Sequence, residues 1–151
     1  MVRFQQETLA CAWPDALPLF ELHYQELTFG KEKIKLAPDI GRYEALERDG
    51  GLVIYTARDD GQLVGYAAFF VIGGHMHYRL NPMAINDVFY IDPGRRADPW
   101  LGYRFLRFID RQLCAYGVDA VKFHVKFRKD FGLMLKRIGY EQEEVVWSKI
   151  V

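Results

Sequence analysis

An α/β fold, with helices on both sides of a mixed sheet, is what the order of apolar patterns along the chain predicts. Three observations carry the prediction. Two β-rich runs meet across Asp59-Asp60-Gly61, a strong hairpin signal. A third such run, Ala84–Ile91, passes through Pro93-Gly94 into a helical stretch and then into "AVKFHV" (Ala120–Val125). Strand, helix, strand is a crossover, and a crossover makes its two strands parallel.

Each element has its own justification. The order starts with a strand ahead of Trp13. In "WPDALPLFELHYQEL" (Trp13–Leu27), Leu17, Phe20, Leu22, Tyr24 and Leu27 recur near helical spacing. Pro14 and Asp15 suit a first turn, and Pro18 sets the expected helix start close to itself. "PDIGRYEALERDGG" reads as a second short helix, stopped by Gly50-Gly51. The hairpin strands follow, then a loop in "GGHMHYRLNPM" and the strand "AINDVFYI". From Leu101, the residues Phe105, Phe108, Ile109 and Leu113 keep helical intervals until Gly117 stops them. "KDFGLMLKRIGY" is a last helix, with Asp130 as N-cap and Gly139 as C-cap. "EQEEVVWSKIV" is expected to close the chain as one or two strands, giving the order β-α-α-β-β-β-α-β-α-β.

Composition limits the function classes. With 151 residues, half of them hydrophobic and 15% aromatic, one folded domain over 1–151 is expected and a disordered chain is excluded. The longest apolar run, Tyr66–Ile72, is far too short to cross a bilayer, and the first residues lack a secretory pattern. Cys11 and Cys114 make neither a disulfide framework nor a metal spacing, so a reducing cytoplasm is expected and no membrane partner. The net charge of zero hides an asymmetry. Residues 1–94 carry 8 basic and 13 acidic side chains (−5), residues 95–137 carry 11 and 4 (+7), and residues 138–151 carry 1 and 3 (−2). A local basic block on a neutral protein suits a small polyanion, or is simply a solvated helix face. A nucleic-acid partner is disfavoured, because a duplex reader is normally basic as a whole.

Three stretches in this order resemble the GNAT-type N-acetyltransferase superfamily. "NDVFYIDPGRR" (86–96) is similar to the family's fourth strand and its exit. "GYRFLRFIDRQLCAYGVDAVKFHV" (102–125) is similar to the following helix and fifth strand, and "LMLKRIGYE" (133–141) to the end of its last large helix. In general style the chain is similar to phage-encoded members. The resemblance implies a GNAT-like acyltransferase fold and transfer of an acetyl group from acetyl-CoA, as co-substrate, to a primary amine of a small molecule or a protein. A catalytically inactive GNAT-fold protein that binds CoA or a protein partner is the alternative.

The resemblance also implies roles. The fourth and fifth strands splay, and backbone along Phe89, Tyr90 and Ile91 pairs with the amides of pantetheine. The diphosphate sits at the start of the next helix, which places Arg95, Arg96, Ala97, Trp100, Leu101, Gly102 and Tyr103 around it, with Phe131 opposite. "RRADPWLG" departs from the family turn. It lacks both interior glycines, and Pro99 removes one N–H, a small loss if Pro99 is a first-turn residue. Arg95 and Arg96 then replace the lost donors by charge-assisted contacts.

For the chemistry, a base must take the amine's proton. Asp87 leads, placed by period-two geometry on one face with Phe89 and Ile91; an edge carboxylate paired with an arginine is the other reading. His124, with Lys122 and Lys126 on its face, is the second catalytic candidate or a surface histidine. Alignment puts Leu135 where the family's acid, a tyrosine, stands; a thiol is acidic enough to leave without full protonation. The first two helices wall the acceptor pocket in this family, which points to Tyr24, Phe29 and Tyr43. His77 and Tyr78, in the loop before the fourth strand, are further acceptor contacts or plain loop. His75 and His77 lack a third ligand of suitable spacing, so no metal is expected. The closing strands offer an edge for homodimer pairing.

Overall fold

In the computed structural model, which describes residues 1–151, the hairpin turn is tight: Asp60 and Gly61 have φ of 48° and 89°, the left-handed pair that a two-residue connection needs. It joins β2 (Leu52–Asp59) to β3 (Gln62–Ile72), the centre of a five-stranded sheet. β1 (Val2–Glu7) flanks β2, and β4 (Met83–Ile91) flanks β3, all antiparallel. β5 (Ala120–Lys122) lies parallel to β4, as the crossover requires. The sheet order is β1-β2-β3-β4-β5.

Both faces of the sheet are covered, which is why β2 and β3 are apolar on both sides. α3 (Pro99–Tyr116) lays Phe105, Ile109 and Leu113 on Val53, Tyr55, Ala67, Phe69 and Ala84. α1 (Leu9–Leu27) covers the other face, packing Leu9 and Ala12 on Leu52 and Ile54, and Ala16 and Leu19 on Leu63, Tyr66 and Tyr90. α2 (Ile40–Arg48) adds Ile40, Tyr43 and Leu46 beside it. α4 (Gly132–Ile138) lies on the α3 side, joined through Phe131, which packs on Phe89. Asp130 caps α4 from one residue outside, its Oδ1 accepting from the Gly132 N–H at 2.7 Å.

The α/β class holds, and three expectations about its elements do not. α1 starts at Leu9, capped by Thr8, and runs through both Pro14 and Pro18. The prolines, and Ala10 whose carbonyl Pro14 leaves unbonded, face solvent, so water satisfies what the ladder loses. β5 stops at Lys122, three residues short of Val125, because the chain turns away from β4 there. Finally, no strand forms after Gly139, so the order ends in a helix. A three-residue β5 offers little edge for a further ladder. The C-terminal segment instead gives Glu143 to Lys122 at 2.9 Å and lays Ile150 against Gly30, leaving Trp147 92% exposed.

Charge closes the opposite edge. Glu7 of β1 accepts from Thr56 (2.5 Å) and from Arg58 Nε and Nη2 (2.6 and 2.9 Å), while Arg58 Nη1 reaches Asp15 of α1 at 2.7 Å. Arg58 holds the Glu7 carboxyl at about 2, against an ordinary 4.5. A depressed carboxylate adds stability above its unfolded value and loses it on acidification. The melting temperature should therefore fall between about pH 4.5 and 2, and Glu7→Gln should flatten part of that limb while lowering stability at neutral pH. Phe105→Ala, at a site with no exposure, should cost about 3–5 kcal/mol in urea unfolding.

Candidate active site

Three residue pairs hold β4 to β5: Met83 with Ala120, Ala84 with Val121, and Ile85 with Lys122. Beyond Ile85 the strands part. Asn86, 6% exposed, fills the fork, its Oδ1 accepting from the His124 N–H where a strand carbonyl would otherwise stand. The next residue is a bulge: Asn86 pairs with Phe69 and Val88 with Ala68, leaving Asp87 without a partner on β3. The bulge reverses the alternation that placed Asp87 with Phe89. Asp87 turns toward α2, where the Tyr43 hydroxyl donates to its Oδ2 at 2.5 Å, while Phe89 packs on Phe105 and Phe131. Burial pushes the Asp87 carboxyl above its ordinary range, and the Tyr43 hydrogen bond partly opposes that.

The fork opens into a cavity of about 280 Å³. β4 residues Asp87–Ile91 form one wall and Leu101, Gly102, Phe131 and Met134 another; His23 and Leu27 of α1 and His124, Lys126 and Lys129 complete it. Alternate amide and carbonyl groups of β4 face this space, since no strand pairs with that edge past Ile85. His23 stacks on Tyr90 (4.6 Å between centroids), and its Nδ1 lies 2.9 Å from the Tyr66 hydroxyl oxygen. Burial, then the nearby Lys126, lowers it to about 4, so its ring is neutral at pH 7.

The turn into α3 uses its own donors. The Gly94 N–H donates to Asp92 Oδ1 (2.9 Å) and the Arg95 N–H to the Asp92 carbonyl (2.9 Å). At the helix start the Trp100 N–H donates to Asp98 Oδ1 (2.9 Å) and the Leu101 N–H to the Asp98 carbonyl (3.3 Å); Pro99 has none. Arg95 is paired with Asp59 at 2.6 Å. Arg96 grips Glu26 of α1 with both terminal nitrogens (2.6 and 2.8 Å), donates from Nε to the Ile91 carbonyl (3.0 Å), and lies over Tyr90. The same Glu26 carboxylate accepts from the Tyr90 hydroxyl (2.8 Å) and pairs with Lys129 (3.0 Å).

Of the residues singled out in the sequence, the cavity brings together Asp87, Phe89, Tyr90, Ile91, Arg96, Leu101, Gly102, His124 and Phe131. Ala97 is exposed on the turn, and Trp100, 58% exposed, stacks edge-on with Tyr103 outside the cavity. The Tyr24 hydroxyl donates to the Ile34 carbonyl (2.7 Å), with the Lys31 carbonyl 3.2 Å away, and so ties down the α1–α2 loop that carries exposed Phe29. His77 and Tyr78 pack with His75 in the loop before β4. Leu135 is buried, and the Tyr140 hydroxyl near the end of α4 donates to Asp110. Asn86, Glu26, His23 and Lys129 went unnoticed in the sequence. His23, Glu26 and Leu27 do share one helical face by their i, i+3, i+4 spacing, a signal available in advance.

No family model matches the sequence, and no curated protein is similar to it in sequence. Solved structures are similar in fold. One is an aminoglycoside acetyltransferase from an uncultured soil metagenomic sample, in complex with sisomicin: TM-score 0.73, 15% identity, covering 99% of this chain and 96% of that one. Another is a predicted acetyltransferase with acetyl-CoA from Clostridium acetobutylicum: TM-score 0.68, 13% identity, 100% and 96% covered. A third is a transcriptional regulator from Bacillus halodurans C-125: TM-score 0.74, 10% identity, both chains fully covered. Together with the β4–β5 fork, these likenesses give the class: the chain has the fold of the GNAT acetyltransferases. No helix of the chain is long and apolar enough to cross a membrane.

Tyr43→Phe removes the hydrogen bond that favours the charged Asp87, so the carboxyl should titrate at higher pH still. Carboxyl carbon chemical shifts followed against pH in both proteins measure this directly. An unchanged midpoint would mean that the contact is not made in solution.

Proposed function

We propose that this protein transfers an acetyl group from acetyl-CoA to a primary amine. The observation that carries the reading is the bulge at Asp87, a half-buried carboxylate set on an unpaired strand edge at the head of the cavity. The cavity suits the pantetheine arm. Phe89, Ile91, Leu101, Phe131 and Met134 give apolar contact, the β4 edge offers amide and carbonyl groups, and Gly102 keeps side-chain bulk off the wall. Lys126, Lys129 and Arg96 supply positive charge toward its mouth.

Acetyl-CoA supplies a thioester, whose carbonyl carbon takes the amine nitrogen as the C–S bond breaks and sulfur leaves as thiolate. Asp87 accepts the proton the amine gives up. Its burial raises its basicity toward the working pH, and Tyr43 fixes its orientation. A β4 amide beside the bulge donates to the carbonyl oxygen as negative charge gathers there. With Leu135 in place of a tyrosine, no side chain of α4 hands a proton to sulfur, and the thiol's own acidity carries that step. The acceptor reaches Asp87 from the side of α1 and α2. The aminoglycoside acetyltransferase of similar fold makes amine-bearing small molecules the first acceptors to screen.

Millimolar acetyl-CoA should raise the melting temperature, and a panel of amines should yield acetylated product by mass spectrometry. Asp87→Asn should lower kcat about 10²–10⁴-fold with little change in the KM for acetyl-CoA. Equal loss of turnover and affinity would make Asp87 structural. Neither thermal shift nor product would end the reading.

A further inference from the structure

Two of the basic side chains at the cavity mouth, Arg96 and Lys129, are already occupied by an anion, and it belongs to the protein. Glu26 Oε1 accepts from Arg96 Nη1 (2.6 Å) and Lys129 Nζ (3.0 Å); Oε2 accepts from Arg96 Nη2 (2.8 Å) and the Tyr90 hydroxyl (2.8 Å). Arg96 comes from the β4 side of the fork and Lys129 from the side where the chain has left β5. One carboxylate therefore clasps both lips. A forked guanidinium, an ammonium and a phenol are also the donor set that a phosphate group would use. Glu26 itself is poorly placed for helix stability, since the last turn of α1 presents negative dipole to a negative side chain. Meanwhile Asp98 holds two of the N–H groups opening α3, those of Trp100 and Leu101, and Pro99 supplies none.

We infer that Arg96 and Lys129 form a seat for a ligand's phosphate or diphosphate, which takes these two cations from Glu26 and turns the carboxylate out. Glu26 is then a built-in competitor: it sets the affinity for phosphate-bearing ligands and keeps the seat closed to neutral ones. This extends the acetyl-CoA reading, because it moves the diphosphate from helix amides to side chains. Lys129, 53% exposed, has room to follow the ligand.

Calorimetric titration of the wild type, Glu26→Gln and Lys129→Met with inorganic pyrophosphate, CoA and pantetheine tests it. Glu26→Gln should bind pyrophosphate and CoA about tenfold tighter, and Lys129→Met about tenfold more weakly, the size of one charge-assisted contact. Pantetheine, which has no phosphate, should bind all three alike. Unchanged or weaker pyrophosphate binding by Glu26→Gln overturns the seat. So does equal tightening for pantetheine, which would make Glu26 a steric plug. Should Glu26→Gln fail to fold, unchanged pyrophosphate affinity in Lys129→Met decides against the seat. Pyrophosphate binding that behaves as expected, with CoA bound by no variant, keeps the seat and removes acetyl-CoA. CoA bound equally by wild type and Glu26→Gln does the reverse.

Discussion

The parting of β4 from β5 after three residue pairs is the constraint on which the rest of the structure depends. A strand edge inside a fold is costly, because each amide and carbonyl on it needs a partner. Two consecutive residues, Asn86 and Asp87, keep this one open. Asn86 takes the His124 N–H and so ends the ladder without orphaning it. Asp87 is the surplus residue of the bulge, and its carboxylate is thereby aimed across the sheet to Tyr43. Two polar residues inside "MAINDVFYI" cost β-propensity and burial energy. What they provide is a gap with main-chain groups along one side and a carboxylate at its head.

Charge around that gap is arranged across the chain rather than along it. The +7 excess of residues 95–137 suggests an open basic surface. In space much of it meets a carboxylate: Arg95 with Asp59, Arg104 with Asp98, Lys122 with Glu143, and Arg96 and Lys129 with Glu26. Exposed pairs of this kind add little to stability. Glu26 differs, because it is partly sheltered, serves two cations at once and is held at about 2 chiefly by Arg96. His23 beside it is held neutral at pH 7, chiefly by burial.

How much was legible in the sequence follows from which interactions are local. The β2–β3 turn, the β4–α3–β5 crossover and the apolar face of α3 were readable, because periodicity and turn residues act within a few positions. The start of α1 was not. Two prolines read as a boundary, and only the finished fold shows that they face water. The face occupied by Asp87 was misread for a related reason: a bulge is a property of the pairing with β3, not of β4 itself. The closing strand failed because "VVWSKIV" has strand composition but β5, only three residues long, offers it little edge. At the candidate site, Asp87, the β4 wall and Arg96 came from the strand and its exit. Glu26 lies 70 residues from Arg96 and 64 from Tyr90, and His23 lies 43 from Tyr66; within the chain only their shared helical face marks them.

A main-chain edge also explains why fold likeness persists where sequence likeness has gone. Solved structures with TM-scores of 0.73 and 0.68 share 15% and 13% identity with this chain. An amide or carbonyl group recognises a partner whatever side chain its residue carries, so a gap lined by backbone tolerates wide substitution. Its shape must be kept, and shape here depends on one spacer, one bulge and a covered sheet. The ends of the gap are freer. A turn that cradles an anion by amides needs small residues, but a turn that delegates the anion to Arg96 and Lys129 can accept Asp98, Pro99 and Trp100. If Arg96 and Lys129 are the proposed seat, the turn "RRADPWLG" and the clasp at Glu26 belong together: side-chain cations that hold the mouth need a counter-charge until a ligand brings its own.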